Sequence, residues 1–123
     1  YTPATQWGCI VKDGFSITVG QIFYGVAWVK SSSTSTAIQT GDGDGNAAGI
    51  QWHTGSNNFE FQSARFTVTA DNSANGIRVR SWLTSGWTPI EIKDVYYFNL
   101  TAIYGGGNEP TEAQMDTLIL KSK

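Results

Sequence analysis

The chain has 123 residues and a formal net charge of −2, with 15% charged and 13% aromatic side chains. This length suits one domain, 1–123, and because the sequence begins at Tyr1 rather than Met, we expect that domain to be a fragment of a larger protein. The absence of a basic tract argues against a nucleic-acid partner, and no apolar run reaches the roughly 18 residues needed to span a membrane.

Short runs rich in β-branched and aromatic residues alternate with turn residues along most of the chain, a pattern typical of a β-sandwich or barrel. Strands are predicted, in chain order, at 7–12, 15–19, 22–30, 37–40, 49–54, 59–70, 77–83 and 90–100. About eight strands on a chain of this size favour an all-β fold, a jelly-roll sandwich. The single cysteine, Cys9, excludes an internal disulfide, and its apolar neighbours predict a buried, inert thiol.

Residues 101–123 are predicted to close the domain with a glycine turn and its one helix. The glycines at 105–107 cannot continue a strand, and glycine supplies the positive φ of a turn. Thr111 is a good helix N-cap, and Gln114, three residues later, completes a capping box. The pattern therefore predicts a short C-terminal α-helix over 111–120.

The predicted helix carries apolar residues at helical spacing, namely Met115, Leu118 and Ile119. Such residues need an apolar surface to pack against. In the 22–30 strand, Tyr24 and Trp28 point to the face opposite the predicted core residues. We therefore expect the helix to cover Tyr24 and Trp28 and to have a structural role.

Strand alternation also predicts which side chains point away from the core. In the 49–54 strand, Ile50 and Trp52 are assigned to the core, as is Trp7 from the first strand. The side chains predicted to point outward are Gln51 and His53 on the 49–54 strand and Arg78, Arg80 and Trp82 on the 77–83 strand.

The segment at residues 97–112, with the sequence YFNLTAIYGGGNEPTE, is called the closing segment below. It resembles the end of small β-sandwich domains in virion proteins of phages that infect mainly Gram-positive bacteria. Those domains sit on tail-associated, receptor-binding or capsid-decorating proteins and look like carbohydrate-binding modules. The resemblance implies a place on the surface of a phage particle, within a larger multimeric assembly.

A second resemblance covers most of the chain. The sequences GQIFYGVAWVKS at 20–31, FTVTA at 66–70 and IEIKDV at 90–95 are similar to strands of family 4/9-type carbohydrate-binding modules. The modules usually have Asp-Asp where this chain has Lys93 and Asp94, at a point near their calcium site. The resemblance implies a jelly-roll topology, in which alternate strands belong to opposite sheets. The 15–19, 49–54 and 77–83 strands would then share one sheet and bring their outward side chains to one face.

The predicted outer face has the chemistry that a sugar requires. A pyranose ring stacks on an indole, and its hydroxyls accept from the forked donors of arginine. Trp82, Arg80, Arg78, Gln51 and His53 are the candidate ligand-binding residues, together with Trp87 in a nearby loop.

Structural alternatives exist for each of these candidates. Trp82 could pack against a loop, and the two arginines could form a solvated face. His53 could be a satisfied strand histidine, and Trp87 could be either a lid over a groove or a plug over the edge of the core.

The glycine-rich loop at 41–46 has some features of a calcium-binding loop. Asp42, Asp44 and Asn46 supply the alternating oxygen ligands that open an EF-hand loop. The sixth position, however, is Ala47 rather than glycine, and the twelfth is His53 rather than glutamate. A flexible hairpin loop is the favoured interpretation, so no cofactor is expected, with calcium as the alternative.

These patterns favour a non-catalytic carbohydrate-binding module of a phage virion protein that binds bacterial cell-surface polysaccharide. The sequence shows no pair of carboxylates in a context suited to glycoside hydrolysis, and no nucleophile motif, so we do not expect an enzyme. The alternatives are a purely structural or interaction domain in a virion, and a carbohydrate-binding module appended to a secreted bacterial glycosidase.

Overall fold

The computed structural model describes residues 1–2, 9–12, 18–41, 47–69 and 76–122. Within these ranges the chain is mostly β, as the sequence predicts, and its antiparallel strands form two sheets that pack as a sandwich. The elements are β1 (Cys9–Lys12), β2 (Ile22–Ser31), β3 (Thr36–Gly41), β4 (Ala47–Trp52), β5 (Phe59–Thr67), β6 (Gly76–Ser81), β7 (Ile90–Asn99), α1 (Leu100–Tyr104) and α2 (Glu112–Lys121).

One sheet has the strand order β1-β6-β3-β4, and the other has the order β5-β2-β7. Strands β4 and β6 share a sheet, as expected, with β3 between them. The consecutive strands β3 and β4 are neighbours in that sheet, so the implied assignment of alternate strands to opposite sheets is wrong at this point. Most of the predicted 15–19 strand lies outside the described residues, and so does Trp7. None of the helices in the described part of the chain is long and apolar enough to cross a membrane.

The space between the sheets is filled by small and β-branched side chains from both layers. This core consists of Ala27, Val29, Ile38, Ala64, Ile77, Val79 and Ile90. Gly25 lies on the inward face of β2, where a Cβ would come within 2.9 Å of Ile77 Cδ1 and 3.1 Å of Tyr97 Cδ1. The absence of a side chain at Gly25 therefore lets Ile77 of the other sheet pack directly against β2.

The outer face of β2 is also buried, because α2 packs on it. Tyr24, Val26, Leu100 and Met115 form a second apolar cluster, with Trp28 and Ile119 packed against it. The Tyr24 hydroxyl donates to Asp116 Oδ1 at 2.7 Å. Burial raises the pKa of Tyr24 well above its ordinary value, and the nearby Asp116 carboxylate raises it further. The predicted docking of the helix over Tyr24 and Trp28 is confirmed.

Two details of the predicted C-terminal region are wrong. Leu118 was expected to dock, but its side chain is 51% exposed. The C-terminal region that the structure describes also has two helices rather than one, because Asn99 ends β7 and caps α1, with its Oδ1 accepting from Ala102 N at 3.0 Å. Gly105, at φ 92°, ends α1 in a conformation that favours glycine.

The closing segment is tied to both β2 and β5. Thr101 Oγ1 accepts from Ile22 N at 2.9 Å and donates to Glu109 Oε2 at 2.7 Å. Arg65 Nε donates to Pro110 O at 3.0 Å. The hydrogen bond from Thr101 lowers the pKa of the Glu109 carboxyl. The segment thus attaches the helices to the three-stranded sheet, and the predicted capping box of Thr111 is present at the start of α2.

Candidate functional site

The outer side of the four-stranded sheet carries two rows of side chains, set by strand register. In one row Ala37 on β3 lies between Trp52 on β4 and Arg80 on β6. In the next row Gln39 lies between Ile50 and Arg78. Trp82, directly after β6, packs against Trp52. We call this surface the tryptophan face, and it consists of Ala37, Gln39, Ile50, Trp52, Arg78, Arg80 and Trp82.

The two indoles of the tryptophan face meet edge to face. Their ring centroids are 4.9 Å apart, with an interplanar angle of 62°. Arg80 Cζ lies 5.7 Å from the centroid of the Trp82 ring, within the range of a cation–π interaction. Trp52 is 47% exposed, whereas Trp82 is half-buried. Trp52 therefore presents the open aromatic surface, and Trp82 and Arg80 support it from one side.

Ala37 explains how these large groups converge. It is fully buried, although it points to the outer side of the sheet, because its small side chain lies beneath Trp52 and Arg80. A larger residue on the central strand would hold the flanking side chains apart. The sequence prediction that Arg78, Arg80 and Trp82 point away from the core agrees with this register.

The predicted orientation of β4 is wrong by one residue. Ile50 and Trp52, assigned to the core from the sequence, are exposed on the tryptophan face. Gln51 lies opposite the core residue Ile38, and its Oε1 accepts a hydrogen bond from Ser63 N on β5 at 2.8 Å. Gln51 thus links the edge strands β4 and β5 of the two sheets, and it is not part of the tryptophan face.

Gly49 accounts for this orientation. Its inward side lies so close to β5 that a Cβ would be 2.9 Å from Arg65 O and 3.1 Å from Ala64 Cβ. Only glycine fits at that inward position without a shift of the backbone of β5. Successive side chains on a strand point to opposite faces. Because Gly49 faces inward, Ile50 and Trp52 face away from the core.

His53 was also predicted on the outer face, and the structure places it in the interior. It is 2% exposed, and Nε2 lies 2.9 Å from Val29 O and 3.1 Å from Asn58 O. Gly55 N donates to Nδ1 at 2.9 Å, so Nδ1 is unprotonated and Nε2 carries the proton. The alternative of a satisfied structural histidine is therefore the correct one.

Glu60 stabilises the same turn from the solvent side. Its carboxylate accepts from Thr54 N at 3.0 Å, from the Thr54 hydroxyl, and from Ser56 Oγ at 2.7 Å. Burial acts to raise the pKa of Glu60, but these hydrogen bonds outweigh it and the pKa is lowered. The carboxylate is thus used in holding the turn together.

Gln39 was not among the sequence candidates, although it alternates with the core residue Ile38. It is 3% exposed, and its Oε1 has no hydrogen-bond partner in the described part of the chain. Arg78, in the same row, is buried and engaged in further contacts. The Nε atom of Arg80 is buried and likewise lacks an acceptor among the described residues.

Trp87 has a local role. Its indole Nε1 donates to Leu83 O at 2.8 Å, so the side chain holds the 82–89 loop together. The candidate calcium ligands Asp42, Asp44 and Asn46 lie outside the described residues. Within the described ranges, the histidine, cysteine and acidic residues form no group of three that could hold a metal ion.

Comparisons of the chain with protein-family models, with curated proteins and with solved structures give no match. Function must therefore be inferred from the chemistry of the tryptophan face. An exposed indole, a guanidinium beside it and a buried amide between the strands can stack against a flat ring and hydrogen-bond to its substituents.

Proposed function

We propose that this domain is a non-catalytic carbohydrate-binding module whose ligand binds on the tryptophan face. The observation that carries the proposal is the exposed Trp52 ring, held by Trp82 and flanked by Arg80 and Gln39. The apolar face of a sugar ring stacks on such an indole, while arginine and amide groups bond to hydroxyls. In this proposal the sugar ring stacks mainly on Trp52, and not on Trp82 as the sequence suggested.

The proposal also includes a jelly-roll topology for the sandwich and a place on the surface of a phage virion. A jelly roll is supported by antiparallel pairs between strands distant in sequence, such as β1 with β6 and β2 with β7. The resemblance of the closing segment supports a place on a phage virion surface, with bacterial cell-surface polysaccharide as the partner. In that setting many copies would bind one cell, and avidity would compensate for weak single sites.

Binding to a screened set of bacterial and plant glycans tests the proposal. The isolated wild-type domain is applied to a glycan array, and the best ligand is measured by isothermal titration calorimetry. We expect a dissociation constant on the order of 10 µM to 1 mM, because each hydroxyl contact first displaces water. Trp52→Ala should weaken binding tenfold or more, with an unchanged circular dichroism spectrum.

Phe59→Ala is the matched control, since Phe59 is an aromatic residue of similar exposure on the other sheet. It should leave the dissociation constant unchanged. Equal binding by wild type and Trp52→Ala would contradict the proposal, as would an array with no bound glycan.

A structural or interaction role is the second candidate. Ile50 and Trp52 form an exposed apolar pair, and such surfaces also contact other proteins. Sedimentation of the wild-type domain distinguishes the two: self-association that Trp52→Ala abolishes, without glycan binding, favours the interaction role.

A further inference from the structure

The acidic side chains that the structure describes lie away from the tryptophan face. The acidic residues within the described ranges are Glu60, Glu91, Asp94, Glu109, Glu112 and Asp116. All of them lie on β5, on β7 or in the helical C-terminal region. The tryptophan face carries the Arg80 guanidinium, and none of these six carboxylates lies on it.

Among the described residues, the Arg80 guanidinium has unused donor capacity. Lys30 pairs with Glu91 at 3.3 Å, and Arg65 donates to Pro110 O. Arg80 makes no ion pair with a described carboxylate, and its buried Nε has no acceptor there. Within the described ranges, its guanidinium lies against the Trp82 ring. Turning this guanidinium toward a ligand would therefore break no hydrogen bond with the described residues.

Gln39 supplies the complementary group. Its side chain is more than nine-tenths buried, and its Oε1 acceptor is unsatisfied among the described residues. A buried acceptor without a donor is destabilising, and a hydroxyl donor from a ligand would satisfy it. The tryptophan face thus has an unused donor and an unused acceptor on neighbouring rows of β6 and β3.

We propose that the glycan recognised by the tryptophan face is acidic. A carboxylate or phosphate on the sugar pairs with the Arg80 guanidinium, the ring stacks on Trp52, and a hydroxyl donates to Gln39 Oε1. Trp52 and Arg80 are carried by strands two spacings apart, about 10 Å, a distance that one or two sugar units span. This inference rests on the proposed carbohydrate-binding function and specifies the class of ligand.

Three probes of similar chain length test the inference by calorimetry. They are an oligogalacturonate, the same oligomer with its carboxyl groups reduced to alcohols, and that reduced oligomer with the new alcohols phosphorylated. We expect at least one acidic probe to bind tenfold or more tightly than the neutral one, and raising the ionic strength should reduce that difference. The carboxylate and phosphate arms identify which anionic group is bound.

Variants assign the effect to Arg80. Arg80→Gln should remove the preference for the acidic probe, and Arg80→Lys should retain part of it, because the charge remains but the forked donors are lost. Lys30→Gln removes the same charge from the other sheet and should change nothing. The melting temperature of each variant is measured to confirm that it folds.

Two outcomes would overturn the inference. In the first, the wild-type domain binds the neutral probe as tightly as the acidic probes, and Arg80→Gln does not change these dissociation constants. In the second, neither acidic probe binds. Neither result refutes the proposed function, which depends on the loss of array binding in Trp52→Ala.

Discussion

At the scale of single residues, burial and hydrogen bonding distinguish groups that hold the fold from groups that are available to a ligand. His53 has both ring nitrogens engaged by the backbone of β2 and of its own turn. Arg80 and Gln39 each have a buried atom without a partner in the described part of the chain. Residue types that suit sugar binding occur in both groups. The environment of a residue, and not its type, therefore decides whether it holds the fold or is available to a ligand.

His53 is therefore predicted to matter for stability and not for binding. His53→Ala leaves Val29 O, Asn58 O and Gly55 N without their partner and opens a cavity, which should cost about 2–4 kcal/mol. Urea unfolding measures the change. His53→Gln keeps an amide donor near Nε2 and should recover part of the loss. A stable His53→Ala variant that no longer binds glycan would return His53 to the list of ligand residues.

At the scale of elements, α2 is held by one face only. Met115 is 5% exposed in the cluster with Tyr24 and Leu100, whereas Leu118, three residues later, is 51% exposed. Met115→Ala should destabilise the domain by about 2–4 kcal/mol, because a buried side chain is removed from a packed cluster. Leu118→Ala, on the same helix, should change stability by less than about 0.5 kcal/mol. Similar losses in both variants by urea unfolding would mean that the helix docks through a different face.

The sequence predicted elements better than it predicted side-chain directions. The ten-residue strand β2 and the capped helix α2 have local signals that tertiary contacts do not oppose. Strand β4 is short and has an apolar residue at every second position, which alternation alone assigns to the core. Its true orientation depends on the close approach of Gly49 to β5, and that distance is a property of the folded sandwich.

Helix α1 shows the same limitation at a strand end. Its five residues follow β7 without a break, and their apolar pattern continues the predicted strand. The N-cap Asn99 was the available signal, but Leu100 is helical because it packs in the cluster beneath α2. A long-range contact therefore decides the local conformation.

At the scale of the whole molecule, the two sheets use their outer faces differently. The three-stranded sheet buries part of its outer face beneath α1 and α2, which are fastened by the closing segment. The four-stranded sheet leaves Trp52 and Ile50 exposed. Packed sheets are about 10 Å apart, so groups on opposite outer faces are separated by both sheets and the core between them.

This separation predicts that the two faces are energetically independent. Because Met115 and Trp52 share no partner in the described structure, Met115→Ala and Trp52→Ala should have additive effects on the free energy of unfolding, within about 0.5 kcal/mol. A double-mutant cycle in urea measures the coupling. Met115→Ala with Tyr24→Phe is the matched control, since these side chains share a cluster and should couple more strongly. Coupling above about 1 kcal/mol between Met115 and Trp52 would show that the core transmits strain between the faces, and Met115→Ala would then also alter glycan affinity.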